Sequence, residues 1–300
     1  MSFSLVFTAP EQDLELCASI LFDLGALGVE VQEPGQLLMP GTPPLPEGRG
    51  RAIAHFDDRE TAQEAAEGLA EELPGLVIPP PLEVAAQEWS VAWRAFHKAM
   101  KVGPRSWVHP PWEVPEAAPG EVKVSIDPGM AFGTGSHPTT SLCLERTDEL
   151  LALRPGADLL DVGTGSGVIA LLAARLGAGR LCGTENDPVA LVVSREGAAL
   201  NGLALDRIAW ELRDCDDLPA PYDRPYQVVV ANILLNTLVL LAPQIARKVA
   251  PGGVLVLAGL LTPQGDEAEA AYVAQGLRPA GRKERDGWIR VELERAQGLG

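Results

Sequence analysis

The pattern of apolar and polar positions along this chain changes near residue 121. Before that point FSLVF (3–7) is a short β-prone run, and Thr8 and Glu11 stand at the spacing of a capping box that opens a helix. Leu14, Ala18, Leu21 and Phe22 follow at helical spacing, with Gly25 placed to stop the helix. LGVEVQE is extended, the Pro/Gly-rich segment 34–48 is a loop, and RAIAHF (51–56) is a strand. A second helix is expected over 57–72 behind an Asp N-cap, and a strand near LEVAAQ closes the series. After residue 121, short apolar runs alternate with helical spacing. VKVSI, a helix over 139–152, DLLDV, a helix over 167–176, RLCGT, a helix over 188–201, RIAWEL and YQVVVAN come first. A helix over 234–250, GVLVLAG, a helix over 263–275 and WIRVELE complete the run.

The first series resembles a small ferredoxin-like α+β module. Residues 1–80 carry no catalytic constellation, which favours a substrate-recognition domain over a second active site. The second series predicts a Rossmann-like, doubly wound and largely parallel α/β sheet over 121–300, with its ligand at the carboxyl ends of the strands. Residues 81–120 read as a linker between the two. Within it EWSVAWRAFHKAM places Trp89, Trp93, Phe96 and Met100 on one face of a helix, an apolar stripe suited to docking on a neighbour.

Composition narrows the function. At 300 residues, 46% hydrophobic and 22% charged, the chain is long enough for two cores and too apolar for a disordered protein. A formal net charge of −17 argues against a nucleic-acid binder, which needs a basic footprint, and favours a cationic partner. Cys17, Cys143, Cys182 and Cys215 are scattered without a CxxC pair, so neither a zinc site nor a disulfide framework is expected. The amino terminus lacks the pattern of a signal peptide. VVVANILLNTLVLLAP (228–243) is interrupted by Asn232, Asn236, Thr237 and Pro243, and reads as strand, turn and helix rather than a membrane span. A cytoplasmic monomer without membrane contact is expected.

The chemistry concentrates at the strand ends. LLDVGTGSG (159–167) sets Asp161, Gly163, Gly165 and Gly167 between the first apolar strand of the sheet and a helix, where glycines let the backbone approach a ligand closely. The dinucleotide fingerprint wants Gly or Ala where this chain has Val168. The GxGxG pattern after an acid looks instead like motif I of class I S-adenosylmethionine-dependent methyltransferases. Glu185 ends the second strand, where a carboxylate accepts from both hydroxyls of a ribose, while Asp187 before Pro188 suits an N-cap. Asp214 follows the third strand, placed for an adenine amino group, although Asp216 and Asp217 beside it are equally acidic. Asn232 ends the fourth strand without the Pro-Pro-Tyr that follows it in many amino-directed methyltransferases. Its oxygen is positioned either to orient an amine or to stabilise a turn.

DPGMAFGTGSHPTT (127–140), followed by LDVGTGSG, DPVAL and VANIL, closely resembles the ribosomal protein L11 methyltransferase family. The resemblance is strong over about residues 85–300 and rests on order and size before that. It implies S-adenosyl-L-methionine as cofactor, with donor contacts at Thr140, Gly163, Glu185 and Asn232, and S-adenosyl-L-homocysteine as product. The family usually has Asp where this chain has Glu185. By analogy Phe132 packs on the adenosine and the backbone around Gly133 closes over the donor, joined by Asp161, Gly165 and Asp214. The resemblance also implies a basic ribosomal protein of the large subunit as partner, methylated up to three times at lysine ε-amino and N-terminal α-amino groups. His137 beside Pro138 stands where it either acts as a base or caps a helix. Three alternatives remain open: a methyltransferase for another protein lysine or small amine, a non-catalytic donor-binding assembly factor, and an NAD-dependent oxidoreductase. Val168 and the lack of a proton-relay motif weigh against the last.

Overall fold

The computed structural model describes residues 2–32, 45–46, 48–84, 98–127, 137–204, 206–215 and 217–297. The chain divides into two compact units, Met1–Phe96 and His97–Gly300.

In the smaller unit β1 (Ser2–Pro10), α1 (Leu14–Asp23), β2 (Gly28–Gln32), β3 (Arg49–Phe56), α2 (Arg59–Glu72) and β4 (Leu82–Val84) follow the expected order. The strands form an antiparallel sheet in the order β2-β3-β1-β4. Alternate residues Leu5, Phe7 and Ala9 of β1 face Ala52, Ala54 and Phe56 of β3 and the apolar sides of both helices in one core. Asp58 caps α2, its carboxylate accepting from the Thr61 N–H at 2.9 Å and the Thr61 hydroxyl at 2.8 Å. The capping box expected at Thr8 and Glu11 does not form. β1 runs on through Pro10, with Thr8 paired to Arg51 in the ladder, and a 3-10 turn (Glu11–Asp13) without a side-chain cap leads into α1. The ladder claims Thr8, whose carbonyl also accepts from Arg49 Nη2 at 2.6 Å.

The larger unit begins with three strands, β5 (Met100–Gly103), β6 (Ser106–His109) and β7 (Val122–Ser125), in a sheet of their own. Two sequence expectations change here. VKVSI forms β7 beside β6 instead of joining the main sheet, and Met100, expected on a linker helix, opens β5 opposite Val108. The helix itself, around Trp89, Trp93 and Phe96, lies outside the described residues. The small sheet is tied to α3 (Pro138–Leu153) by fully buried Asp148, which accepts from the Arg105 N–H at 2.7 Å, the Ser106 hydroxyl at 2.7 Å and the Arg105 guanidinium at 2.8 Å.

The main sheet then builds from β8 (Leu159–Val162), α4 (Val168–Arg175), β9 (Leu181–Glu185), α5 (Pro188–Leu200), β10 (Ala209–Leu212) and β11 (Tyr226–Asn232). It continues through α6 (Leu235–Leu240), α7 (Ala242–Arg247), β12 (Val249–Leu261), α8 (Gly265–Val273), β13 (Arg278–Arg285) and β14 (Trp288–Glu294). Strand order is β10-β9-β8-β11-β12-β14-β13, with β8 to β12 parallel and β14 reversed. Val228 and Val230 of β11 face the core that includes α3 and α4, while Val229 and Ala231 face the one with α6, α7 and α8. Burial on both faces is why these strands read as unbroken apolar runs. The helix expected over 234–250 is two short helices followed by the start of β12. Pro243 has no N–H with which to continue α6 and sits instead in the first turn of α7. β13 escaped notice because RPAGRKER is almost wholly exposed and polar.

Candidate active site

Strand order reverses between β8 and β11, so their carboxyl ends diverge and leave a crevice. A cleft of about 290 Å³ opens there, walled by Gly163, Glu185 and Asp214 on one side and by Ile233, Leu234 and Leu241 on the other. The loop after β8 reaches it through three glycines at positive φ: Gly163 at +67°, Gly165 at +55° and Gly167 at +79°. A Cβ on Gly163 would stand 2.4 Å from the Ile233 Cγ2, so only glycine permits this approach.

Asp161 lies beneath that loop, 1% exposed, and its carboxylate accepts from the Thr164 hydroxyl at 2.6 Å. Burial pushes its pKa up to about 7, the Thr164 hydroxyl and the Ala170 N–H pull it back, and the Glu185 charge adds to the rise. Glu185 itself accepts three main-chain hydrogen bonds. Oε2 takes the Gly165 N–H at 2.9 Å, and Oε1 takes those of Asn186 at 2.8 Å and Asp187 at 3.2 Å. The extra methylene relative to Asp gives the carboxylate the reach to join the glycine loop to the turn before α5. Asp187 caps α5 through the Val189 N–H at 2.8 Å, and Asp214 accepts from the Asn186 side chain at 3.1 Å.

Across the crevice, Asn232 ends β11 and donates from Nδ2 to the hydroxyl of buried Thr140 at 3.3 Å. Its Oδ1 is buried and has no hydrogen-bond partner among the described residues. A stranded amide oxygen costs free energy that a ligand donor would recover. Thr140 is brought to this point by α3, whose N-cap is His137. Nδ1 of His137 accepts from the Thr139 N–H at 3.3 Å and from its hydroxyl at 2.8 Å, and the ring meets Trp288 edge-on at 4.7 Å between centroids. A backbone N–H can only donate, so Nδ1 accepts and His137 acts as the N-cap through its lone pair; burial lowers the pKa of this imidazole.

The structure thus brings Gly163, Glu185 and Asp214 together on one wall of the cleft, with Gly165 hydrogen-bonded to Glu185, while Thr140 and Asn232 meet each other at the end of β11 and are not among the residues lining the cleft. Asp161 supports that wall from below. Phe132 and Gly133 lie outside the described residues. Sequence reasoning missed Ile233, Leu234, Thr237 and Leu241, which line the cleft. Their signal was position alone, immediately after the strand at the switch point. It missed Gly259 too, at φ +81°, where a Cβ would stand 2.5 Å from the Ile233 carbonyl oxygen. A lone glycine inside a strand pattern marks such a close approach. The residues fit a sulfonium nucleoside: a glycine cradle that a Cβ would close, a carboxylate at the end of β9, and an unsatisfied acceptor at the end of β11.

The sequence pattern of the family described as ribosomal protein L11 methyltransferase (PrmA) matches residues 2–296. The chain belongs to this family. The L11 methyltransferase of Myxococcus xanthus is 40% identical over 292 residues, covering 97% of this chain and 98% of that protein. The one from Azotobacter vinelandii is 47% identical over 209 residues, covering 69% of this chain and 68% of its own length. Among solved structures, the ribosomal protein L11 methylase of Lactobacillus delbrueckii subsp. bulgaricus is similar with a TM-score of 0.59 and 28% identity, across 67% of this chain and all of that one. The family explains why the main sheet has a Rossmann-like methyltransferase fold. No helix among the described residues is long and apolar enough to cross a membrane.

Proposed function

We propose that this chain methylates amines of ribosomal protein L11 in the cytoplasm, using S-adenosyl-L-methionine, at lysine ε-amino and N-terminal α-amino groups and up to three times each. The observation that carries the reading is the buried, unsatisfied Oδ1 of Asn232 at the end of β11, in a chain of this family. Glu185 would take the ribose diol, the Gly163–Gly165 backbone would cradle the nucleoside, and Asp214 would accept from the adenine amino group. When bound, the donor supplies an electrophilic methyl on a cationic sulfur.

The chain's own work is to present a neutral amine. A lysine of ordinary pKa about 10.4 is neutral about once in a thousand near neutral pH, a cost of about 4 kcal/mol. Ile233, Leu234 and Leu241 offer an apolar wall that disfavours the ammonium form. Asn232 Oδ1 accepts one N–H of the amine and aims its lone pair along the line of displacement. His137, engaged as a cap, is not the base; the proton leaves to water. Positioning and desolvation therefore replace strong general-base catalysis.

The smaller unit supports the substrate side. Residues 1–96 hold sixteen acidic and four basic residues, a net −12 of the chain's −17. Such a field attracts a basic ribosomal protein, and in this reading residues 1–80 recognise the substrate while 121–300 carry the chemistry. Purified L11, incubated with enzyme and labelled donor and weighed intact, is expected to gain mass in whole methyl steps on amines. An unchanged mass, with donor binding intact, would reject the substrate.

A further inference from the structure

A second cleft, of about 530 Å³, lies between β7 with its flanking loops and the ends of α4 and α5, and shares no residue with the candidate active site. One of its lining side chains is His109, only 6% exposed. Nδ1 of His109 lies 2.8 Å from the Pro110 carbonyl, which can only accept, so Nδ1 carries the hydrogen. With Nδ1 as the donor, the Nδ1–H tautomer presents a lone pair at Nε2, for which no hydrogen bond is made among the described residues.

Two cations line the same cleft with charge to spare. Lys123 makes one long contact, 3.5 Å to the Pro115 carbonyl, and Arg175 gives Nη2 to the Asn201 carbonyl. Neither has a carboxylate within 4.0 Å among the described residues. Glu121 also faces the cleft, but its carboxylate is occupied by Lys101, by Trp107 Nε1 at 2.7 Å and by the Ala118 N–H at 2.9 Å. The walls are fixed to each other: the Asn201 side chain accepts from the Ser125 N–H at 2.9 Å and donates to the Ser125 carbonyl at 2.7 Å. Unpaired positive charge beside a buried acceptor is matched by an oxyanion that still carries a hydroxyl hydrogen.

We propose that this cleft binds a hydrogen-phosphate group, its P–OH donating to His109 Nε2 and its charged oxygens accepting from Lys123 and Arg175. Sulfate has the same shape and charge without the hydroxyl, and separates this recognition from plain charge attraction. Calorimetric titration of the full chain at neutral pH and constant ionic strength should give saturable binding of inorganic phosphate, with sulfate weaker by about tenfold. Lys123→Ala combined with Arg175→Ala, two changes on accessible side chains, should weaken phosphate by about tenfold or more without altering donor affinity. His109→Gln should remove the preference for phosphate over sulfate. No saturable phosphate binding, equal affinity for sulfate, or undiminished binding in the double variant would overturn the proposal, whether or not His109→Gln folds.

Discussion

At the scale of single residues, Asn232 and Asp161 carry the testable consequences of the proposed site. Asn232 is half-buried with its donor satisfied by Thr140 and its acceptor oxygen left over, an arrangement that a turn alone does not require. Asn232→Ala is expected to lower kcat by about 100-fold, the size of effect seen when one preorganised hydrogen-bonding group is lost, with donor affinity changed by less than about threefold. Single-turnover kinetics beside a binding titration would separate the two. Asp161 makes a pH prediction. Its folded pKa of about 7 stands above its ordinary 3.8, so the folded chain keeps a proton that the unfolded chain releases. The resulting stability is fully present below about pH 4 and is lost as pH rises through about 7, with a slope of up to about 1.4 kcal/mol per pH unit. Denaturant titrations of the donor-free protein should show that decline, and Asp161→Asn should flatten it. The glycines, the acids and Asn232 were legible in the sequence because each needs a particular residue type at a strand end. Ile233 and Leu234 were not, since an apolar residue beside a cleft looks like one in a core.

At the level of elements, the strands of the main sheet were readable because burial on both faces leaves an unbroken apolar run, as in VVVA of β11. The elements that escaped were those whose stability comes from a partner distant in sequence. β5 and β6 are four residues each in a Pro-rich stretch, and Asp148, 42 positions beyond Ser106, holds their turn. Asp148→Ala would strand the Arg105 N–H and the Ser106 hydroxyl, and should destabilise the larger unit by about 2–4 kcal/mol. Thermal unfolding of the full chain would register it, and a melting curve like the parent's would show the joint to be ornamental. One turn before Asp148 on α3, Glu145 pairs with Lys283 and with Arg285, the latter at 3.0 Å. The hairpin of exposed β13 and buried β14 thereby helps seat the helix that carries His137 and Thr140.

For the molecule as a whole, charge is the property that sequence stated most directly and that bears on substrate choice. With −12 concentrated in residues 1–96 and −5 in the rest, the proposed encounter with a basic protein would be steered mainly by the smaller unit. Raising salt from about 0.05 to about 0.5 M shortens the Debye length from about 14 to about 4 Å. KM for L11 should rise several-fold over that range while the donor dissociation constant stays nearly constant, and equal responses would point away from steering. Donor binding in the crevice between β8 and β11 underlies every proposed step, and a crystal structure grown with S-adenosyl-L-homocysteine tests it most directly. It should show the ribose diol on the Glu185 carboxylate, the nucleoside against Gly163 and Ile233, and Asn232 Oδ1 facing the sulfur side. Product bound elsewhere, or a crevice left empty at saturating product, would contradict it.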